Sequence, residues 1–106
     1  MDEILEIGEP ADGQVIEIRV HQTLRIVLPE VRTAGFRWTL RALRTSVCSV
    51  AKEDFDPPAG AAGGAGRRHW ELRAEEVGTA EILIEYGRPW EHGAPARSYS
   101  VSIRVR

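Results

Sequence analysis

Residues 79–86 read Thr-Ala-Glu-Ile-Leu-Ile-Glu-Tyr, and Gly87-Arg88-Pro89-Trp90 follow directly. The first eight of these residues alternate between apolar and polar side chains almost without interruption. A period of two is typical of a β-strand with one buried face. The strand is expected to end by Pro89, because proline fixes its own φ and cannot donate a hydrogen bond to a neighbouring strand. The sequence therefore predicts a strand followed by a loop that carries Trp90.

The same alternation recurs along most of the chain. The other alternating segments are 16–20, 24–28, 36–42, 70–74 and 99–105. None of the chain shows a sustained helical period, and Gly and Pro punctuate the alternating runs. Short strands of this kind predict an all-β fold, a sandwich or a barrel, and an immunoglobulin-like antiparallel β-sandwich with Greek-key connections fits best. We expect a single domain over residues 1–106, with Trp38 as the buried tryptophan of such a fold.

The composition limits the partners that the protein can have. Sixteen acidic and fourteen basic residues are scattered and give a formal net charge of −2, so neither nucleic acid nor a membrane surface is expected as a partner.

The N-terminus has no basic segment and no long apolar run, so no signal peptide is predicted. The expected location is cytoplasmic for the chain as given, and periplasmic or secreted if a signal peptide has been removed. Lys52 is the only lysine, and this bias indicates a bacterial genome of high GC content.

The residue types that usually carry catalysis or bind metals form no recognisable group. Cys48 is the only cysteine and lies among strand-forming residues, so a buried, inert thiol is predicted. His21, His69 and His92 lack the spacing of a metal site, and we expect His21 and His69 at strand ends. The glycine-rich residues 63–66 lack the strand, helix and lysine of a phosphate-binding loop. The sequence therefore predicts no enzyme activity, no catalytic residue, no metal and no cofactor.

Three connections between predicted strands have an unusual composition: residues 29–35, the glycine-rich residues 56–66, and the loop around Trp90. Successive connections of a sandwich alternate between its two ends, so all three lie at the same end if residues 48–55 form one strand. On its own segment, Trp90 has two open interpretations. It is either a lid over the end of the sandwich or an exposed aromatic anchor for a partner. The other two loops at the same end favour the anchor.

In order and spacing, these loops resemble those of the chagasin family, the immunoglobulin-like inhibitors of papain-type cysteine peptidases. The family's first loop reads Asn-Pro-Thr-Thr-Gly-(aromatic)-x-Trp after a Leu-Pro pair. Here Leu28-Pro29-Glu30 leads into Val31-Arg32-Thr33-Ala34-Gly35-Phe36-Arg37-Trp38. The matching residues are Thr33, Gly35, Phe36 and Trp38, and the departures are Val31, Arg32 and Ala34.

The family's other two motifs are also present. The second motif, Gly-x-Gly-Gly ahead of a strand that carries an aromatic residue, corresponds to Gly63, Gly64, Ala65 and Gly66. Ala65 stands where a glycine is usual. The third motif, Arg-Pro-Trp, is matched in full by Arg88, Pro89 and Trp90. The resemblance covers nearly the whole chain.

The resemblance implies an inhibitor that blocks the active-site cleft of a papain-like cysteine peptidase non-covalently. In that arrangement the first loop enters the cleft over the catalytic cysteine, and the other two loops clasp its sides. The implied protease-binding residues are Val31, Arg32, Thr33, Ala34, Gly35, Phe36, Gly63, Gly64, Ala65, Gly66, Arg88, Pro89 and Trp90.

The departures from the motif lead to further expectations. Arg32 in place of proline is expected to leave a longer, charged and more mobile tip, which weakens inhibition or meets an acidic cleft. Ala65 is expected to be tolerated unless its position requires a positive φ. A non-inhibitory protein-binding module on the same scaffold is the alternative hypothesis, because sites are grafted onto folds. We expect a monomer whose last strand, ending at Arg106, lies at a sheet edge where its charges discourage pairing.

Overall fold

In the part of the chain that the structure describes, eight β-strands and a short 3-10 turn at Glu9–Ala11 form the fold. The structure is a computed structural model, and it describes residues 3–32, 35–43, 46–59 and 64–106. The strands are β1 (Ile4–Ile7), β2 (Val15–Ile18), β3 (Thr23–Glu30), β4 (Arg37–Ala42), β5 (Cys48–Asp56), β6 (Gly66–Ala74), β7 (Gly78–Gly87) and β8 (Arg97–Val105). Over these ranges, no helix has the length and apolar character that crossing a membrane requires.

The strands are arranged in two four-stranded sheets that enclose one core. One sheet has the order β1-β3-β6-β5, and the other has the order β2-β8-β7-β4. β1 is parallel to β3 and β2 is parallel to β8, whereas the remaining neighbours are antiparallel. This order corresponds to the two sheets of a constant-type immunoglobulin domain with one strand added beside the last. The predicted immunoglobulin-like sandwich is confirmed.

Alternation along the strands places the core between the sheets. In β3 every second residue is buried, and the last of these positions holds Glu30. β7 and β8 present their buried residues from the opposite sheet. Trp38 and Trp70 are only 3% and 0% exposed and belong to the same buried cluster. The expected burial of Trp38 is therefore confirmed.

Two expectations about strand positions are wrong. β8 does not lie at a sheet edge, because residues 15–18 pair with residues 102–105 on its outer side. His69 lies inside β6 and not at a strand end, because β6 already begins at Gly66. The partner of β8 is distant in sequence, and residues 66–69 belong to a strand because they pair with residues 27–30 and 54–56. His21 does lie between two strands, and its φ is 74°.

The three unusual connections leave the same end of the sandwich. Residues 48–56 form the single strand that this prediction required. The end of β3 pairs with the start of β6, and the start of β4 pairs with the end of β7. We name the connections after their content: the first loop (31–36), the glycine loop (57–65) and the tryptophan loop (88–96).

Candidate functional site

The first loop starts from a carboxylate that lies in the core. Glu30 is 1% exposed, and one of its oxygens accepts a hydrogen bond from the backbone N–H of Trp38 at 2.6 Å. Arg32 Nε donates to the carboxylate at 2.9 Å. Arg68 donates to it from Nε at 3.3 Å and from Nη2 at 3.4 Å. Such pairing and hydrogen bonding compensate for the lost hydration of a buried charge.

Burial and hydrogen bonding shift the pKa of Glu30 in opposite directions. Burial raises this pKa, because the charged form loses its hydration. The hydrogen bonds from Trp38 N–H, Arg32 and Arg68 favour the charged form, and together they outweigh burial. The pKa therefore lies below its ordinary value of 4.5, and Glu30 is ionised at neutral pH. This carboxylate joins the two strands that carry the first loop.

The Arg32 side chain is held against the sandwich. In addition to its bond to Glu30, its guanidinium carbon lies 3.7 Å from the centre of the Phe55 ring. Phe55 is the penultimate residue of β5, and the glycine loop begins two residues later. The expectation that Arg32 forms a mobile, charged tip is therefore wrong, because a carboxylate and an aromatic ring both hold its guanidinium.

Tyr86 supports the first loop from the other sheet. Its hydroxyl donates to the Val31 carbonyl at 2.9 Å and accepts from the Val31 N–H at 3.3 Å. The Phe36 ring stacks on the Tyr86 ring with a centroid distance of 5.4 Å, and Trp38 packs against the same ring at 4.9 Å. Both ends of the first loop therefore rest on one tyrosine.

Trp90 packs on the backbone of Gly35. Gly35 has a φ of 83°, and a Cβ added to it would lie 2.2 Å from Trp90 Cη2. Only glycine permits this approach together with this φ at low cost. The Trp90 side chain is nevertheless 63% exposed, so it is not folded over the core as a lid. The predicted tip residues Thr33 and Ala34 lie outside the described residues.

Contacts of Arg88 and a tight turn hold the tryptophan loop in place. Its Arg88 guanidinium carbon lies 4.6 Å from the centre of the Phe36 ring, and Arg88 Nη1 donates to Glu91 Oε1 at 2.9 Å. The Glu91 N–H donates to the Arg88 carbonyl at 3.0 Å and closes a turn with Pro89 at its second position. Proline favours this position because its φ is already fixed. The turn presents Trp90 at its third position.

The strands on either side of the glycine loop are packed closely together at Phe55 and Gly66. A Cβ added to Gly66 would lie 2.3 Å from Phe55 Cζ and 2.6 Å from the Asp56 carbonyl oxygen, so the glycine is required by close packing. Ala65 does not have a positive φ, and the replacement of glycine there is accommodated. Gly64 and Ala65 are exposed. The predicted Gly63 lies outside the described residues.

The structure thus brings together most of the described residues that the sequence singled out. Gly35 and Phe36 contact the tryptophan loop, Val31 bonds to Tyr86 at the end of β7, and Arg32 faces Phe55 at the end of β5. Sequence reasoning missed the supporting residues Glu30 and Phe55. Glu30 continues the alternation of buried positions in β3, and this is the signal that could have indicated its role, because a buried charge requires partners.

Other chemically reactive side chains lie apart from this site. Cys48 is buried, as expected, and burial together with the charge of Glu75 raises the pKa of its thiol. His69 Nε2 lies 3.3 Å from Asp56 Oδ2 on the outer face of its sheet. Among the described residues, no three His, Cys, Asp or Glu side chains are grouped closely enough to hold a metal ion.

Comparison with known proteins gives consistent matches over nearly the whole chain. A family model described as "Chagasin family peptidase inhibitor I42" matches residues 17–105. Amoebiasin-2 of Entamoeba histolytica is 29% identical over 104 residues, which cover 94% of this chain and 84% of that protein.

Solved structures of similar proteins have the same fold. The crystal structure of the cysteine protease inhibitor EhICP2 from Entamoeba histolytica matches with a TM-score of 0.87 and 29% identity, covering 97% of this chain and 96% of that one. PbICP-C, solved in complex with falcipain-2, matches with a TM-score of 0.73 and 16% identity, covering 99% of this chain and 91% of that one. At that identity the second match supports the fold alone.

Proposed function

This chain belongs to the chagasin family of peptidase inhibitors, and we propose that its first, glycine and tryptophan loops together block the active-site cleft of papain-like cysteine peptidases. The chain is an inhibitor and not an enzyme, as its family is. The observation that carries the three-loop proposal is the placement of Trp90, which is 63% exposed while one edge of its ring rests on Gly35. An exposed tryptophan held in one position is the usual form of a binding anchor.

The mechanism follows from the contacts that hold the described parts of the first and tryptophan loops. The first loop is held by Glu30 and Tyr86, and Arg88 is braced by Phe36 and Glu91. Loops that are already ordered lose little conformational entropy when they dock, so more of the contact energy appears as affinity. A complex of standard size buries about 1,600 Å² in total. Inhibition then results from occupying the cleft, and it needs no bond to the catalytic cysteine.

The known complex of a protein with the same fold supports this proposal. PbICP-C was solved together with falcipain-2, so a domain of this architecture does present a surface to that partner. We infer that the corresponding surface here is the end of the sandwich that carries Gly35, Ala65 and Trp90. Thr33, Ala34 and Gly63 belong to the same proposed surface.

A titration of papain with the purified protein tests the proposal. We expect competitive inhibition, and we expect Trp90→Ala to weaken it by about 30- to 700-fold, because truncating an aromatic anchor costs about 2–4 kcal/mol. Val77→Ala is the matched control, since Val77 is 71% exposed at the opposite end of the sandwich. The absence of inhibition at high micromolar protein against several papain-like peptidases would refute the function. Full potency of Trp90→Ala would refute the role of the loops.

The same experiment addresses the alternative of a non-inhibitory binding module. Binding to a peptidase without loss of peptidase activity would support that alternative.

We also propose a bacterial source of high GC content and a cytoplasmic location for the chain as given. The source rests on the single lysine among fourteen basic residues, and cell fractionation tests the location.

A further inference from the structure

We propose that Arg32 is a positioning residue, whose guanidinium is held between the Glu30 carboxylate and the Phe55 ring and thereby fixes the first loop for entry into the peptidase cleft. We call these three residues the Arg32 clamp. The proposal rests on the inhibitory function proposed above. A proline at this position of the motif would stiffen the loop. Here we assign that role to the contacts of the Arg32 side chain.

The clamp holds the guanidinium by its edge and by its face. At the edge, Nε donates to Glu30 Oε2 at 2.9 Å. At the face, the guanidinium carbon lies 3.7 Å from the Phe55 ring centre. A planar guanidinium suits both contacts at once, whereas an ammonium group does not. Arg68 completes the arrangement, because it also bonds to Glu30 and lies 5.7 Å from the same ring.

The clamp is connected to the exposed part of the site through the backbone. The Gly35 N–H donates to the Arg32 carbonyl at 3.1 Å. Gly35 in turn is the surface on which Trp90 packs. Holding Arg32 in place therefore holds the acceptor of the hydrogen bond that positions Gly35.

The clamp also joins the first loop to the strands on either side of the glycine loop. Gly66 lies so close to Phe55 that an added Cβ would meet Cζ at 2.3 Å. The Phe55 ring is thus fixed on one side by bare backbone and covered on another by Arg32. One ring consequently contacts both the first loop and the start of β6, where the glycine loop ends.

The contacts constrain Arg32 but do not remove it from solvent. Its side chain is 36% exposed, and the contacts described above use Nε and one face of the guanidinium. Moving the guanidinium off Glu30 to reach a peptidase carboxylate would cost this buried carboxylate one of its charged partners, which is unfavourable. Arg32 therefore acts on binding by raising the fraction of molecules whose first loop is already in the binding conformation.

Hydrogen exchange in the free protein tests the clamp without a peptidase. We expect Phe55→Leu and Arg32→Gln to speed exchange of the Gly35 amide by about five-fold, the size expected for one cation–π contact. The Glu91 amide, which bonds to the Arg88 carbonyl at 3.0 Å, is the internal control and should keep its rate. Val50→Ala is the matched variant, because Val50 is an exposed residue of the same strand. Unchanged Gly35 exchange in both clamp variants would overturn the proposal.

Inhibition kinetics separate positioning from direct contact. Arg32→Gln should lower the association rate constant by about five-fold and change dissociation less, since only the competent fraction falls. Arg32→Pro should retain the association rate, and Phe55→Leu should then have no further effect. A loss confined to dissociation, with Arg32→Pro as weak as Arg32→Gln, would identify Arg32 as a contact residue and overturn the proposal. If the wild-type protein inhibits no peptidase, the proposed function fails, and hydrogen exchange still decides the clamp.

Discussion

Replacing Gly35 by alanine should displace Trp90 and weaken inhibition, because the two residues share the same space. The new Cβ would lie 2.2 Å from Cη2 and 2.9 Å from Cζ3 of the indole. Ordinary carbon–carbon contacts lie at about 3.5–4.0 Å, so the ring has to move by more than 1 Å, on the order of one bond length. The backbone φ of 83° adds a second penalty, since alanine disfavours this region.

The two penalties affect different measurements. The unfavourable φ acts on stability and should lower the free energy of unfolding by about 1–2 kcal/mol. For a domain of this size each kcal/mol corresponds to about 4–8 °C in Tm. The displaced ring acts on binding. If its contribution is lost in full, the inhibition constant should rise by about 30- to 700-fold, which corresponds to about 2–4 kcal/mol.

Two glycines of the chain provide matched controls for thermal unfolding and papain inhibition. Gly13 has a φ of 79° with nothing within 4 Å of an added Cβ, so Gly13→Ala should lose stability and keep its potency. Gly93 lies in the tryptophan loop with no such neighbour and no positive φ, so Gly93→Ala should keep both. In the double variant Gly35→Ala, Trp90→Ala, potency should equal that of Trp90→Ala alone. Full potency of Gly35→Ala, or additive losses in the double variant, would refute the coupling between the two loops.

Two further predictions concern ionisable groups. The pKa of Glu30 lies below its ordinary value of 4.5, so its charge stabilises the fold above that pH, and the contribution is lost as pH falls through the lower, folded-state pKa. In denaturant unfolding at a series of acidic pH values, the stability advantage of wild type over Glu30→Gln should therefore shrink as pH falls. A constant difference would contradict this. The Cys48 thiol is fully buried and its pKa is raised, so an aromatic disulfide reagent should label it only under denaturing conditions. Rapid stoichiometric labelling of the native protein would contradict that burial.

The parts of the fold that could be predicted are those with a local signal. Alternation identified β3, β7 and β8, because each has one face in the core. β1 escaped the prediction, since Ile4–Ile7 does not alternate and three of its four residues are exposed. The position of β8 inside its sheet was also missed. It depends on the parallel pairing of β2, which starts more than 80 residues earlier in the chain.

The candidate site shows the same division between local and distant information. Gly35 and the Arg-Pro-Trp sequence are local motifs, and the sequence placed them correctly in loops. The state of Arg32 depends on Phe55, a residue 23 positions further along the chain, whose ring reaches it only after the strands have paired. Local composition alone suggested a mobile arginine. Its partners in space determine that it is held.

Because the three tryptophans differ in burial, the intrinsic fluorescence of this protein can report its binding to a peptidase. Trp38 and Trp70 are enclosed by the core and inaccessible to aqueous quenchers, whereas Trp90 is in contact with solvent. Iodide should therefore quench the fluorescence of Trp90 selectively, and a blue shift of the quenchable component should follow its transfer into a peptidase groove. The kinetics of loop engagement become measurable on the unlabelled inhibitor, with the two enclosed indoles as a constant background.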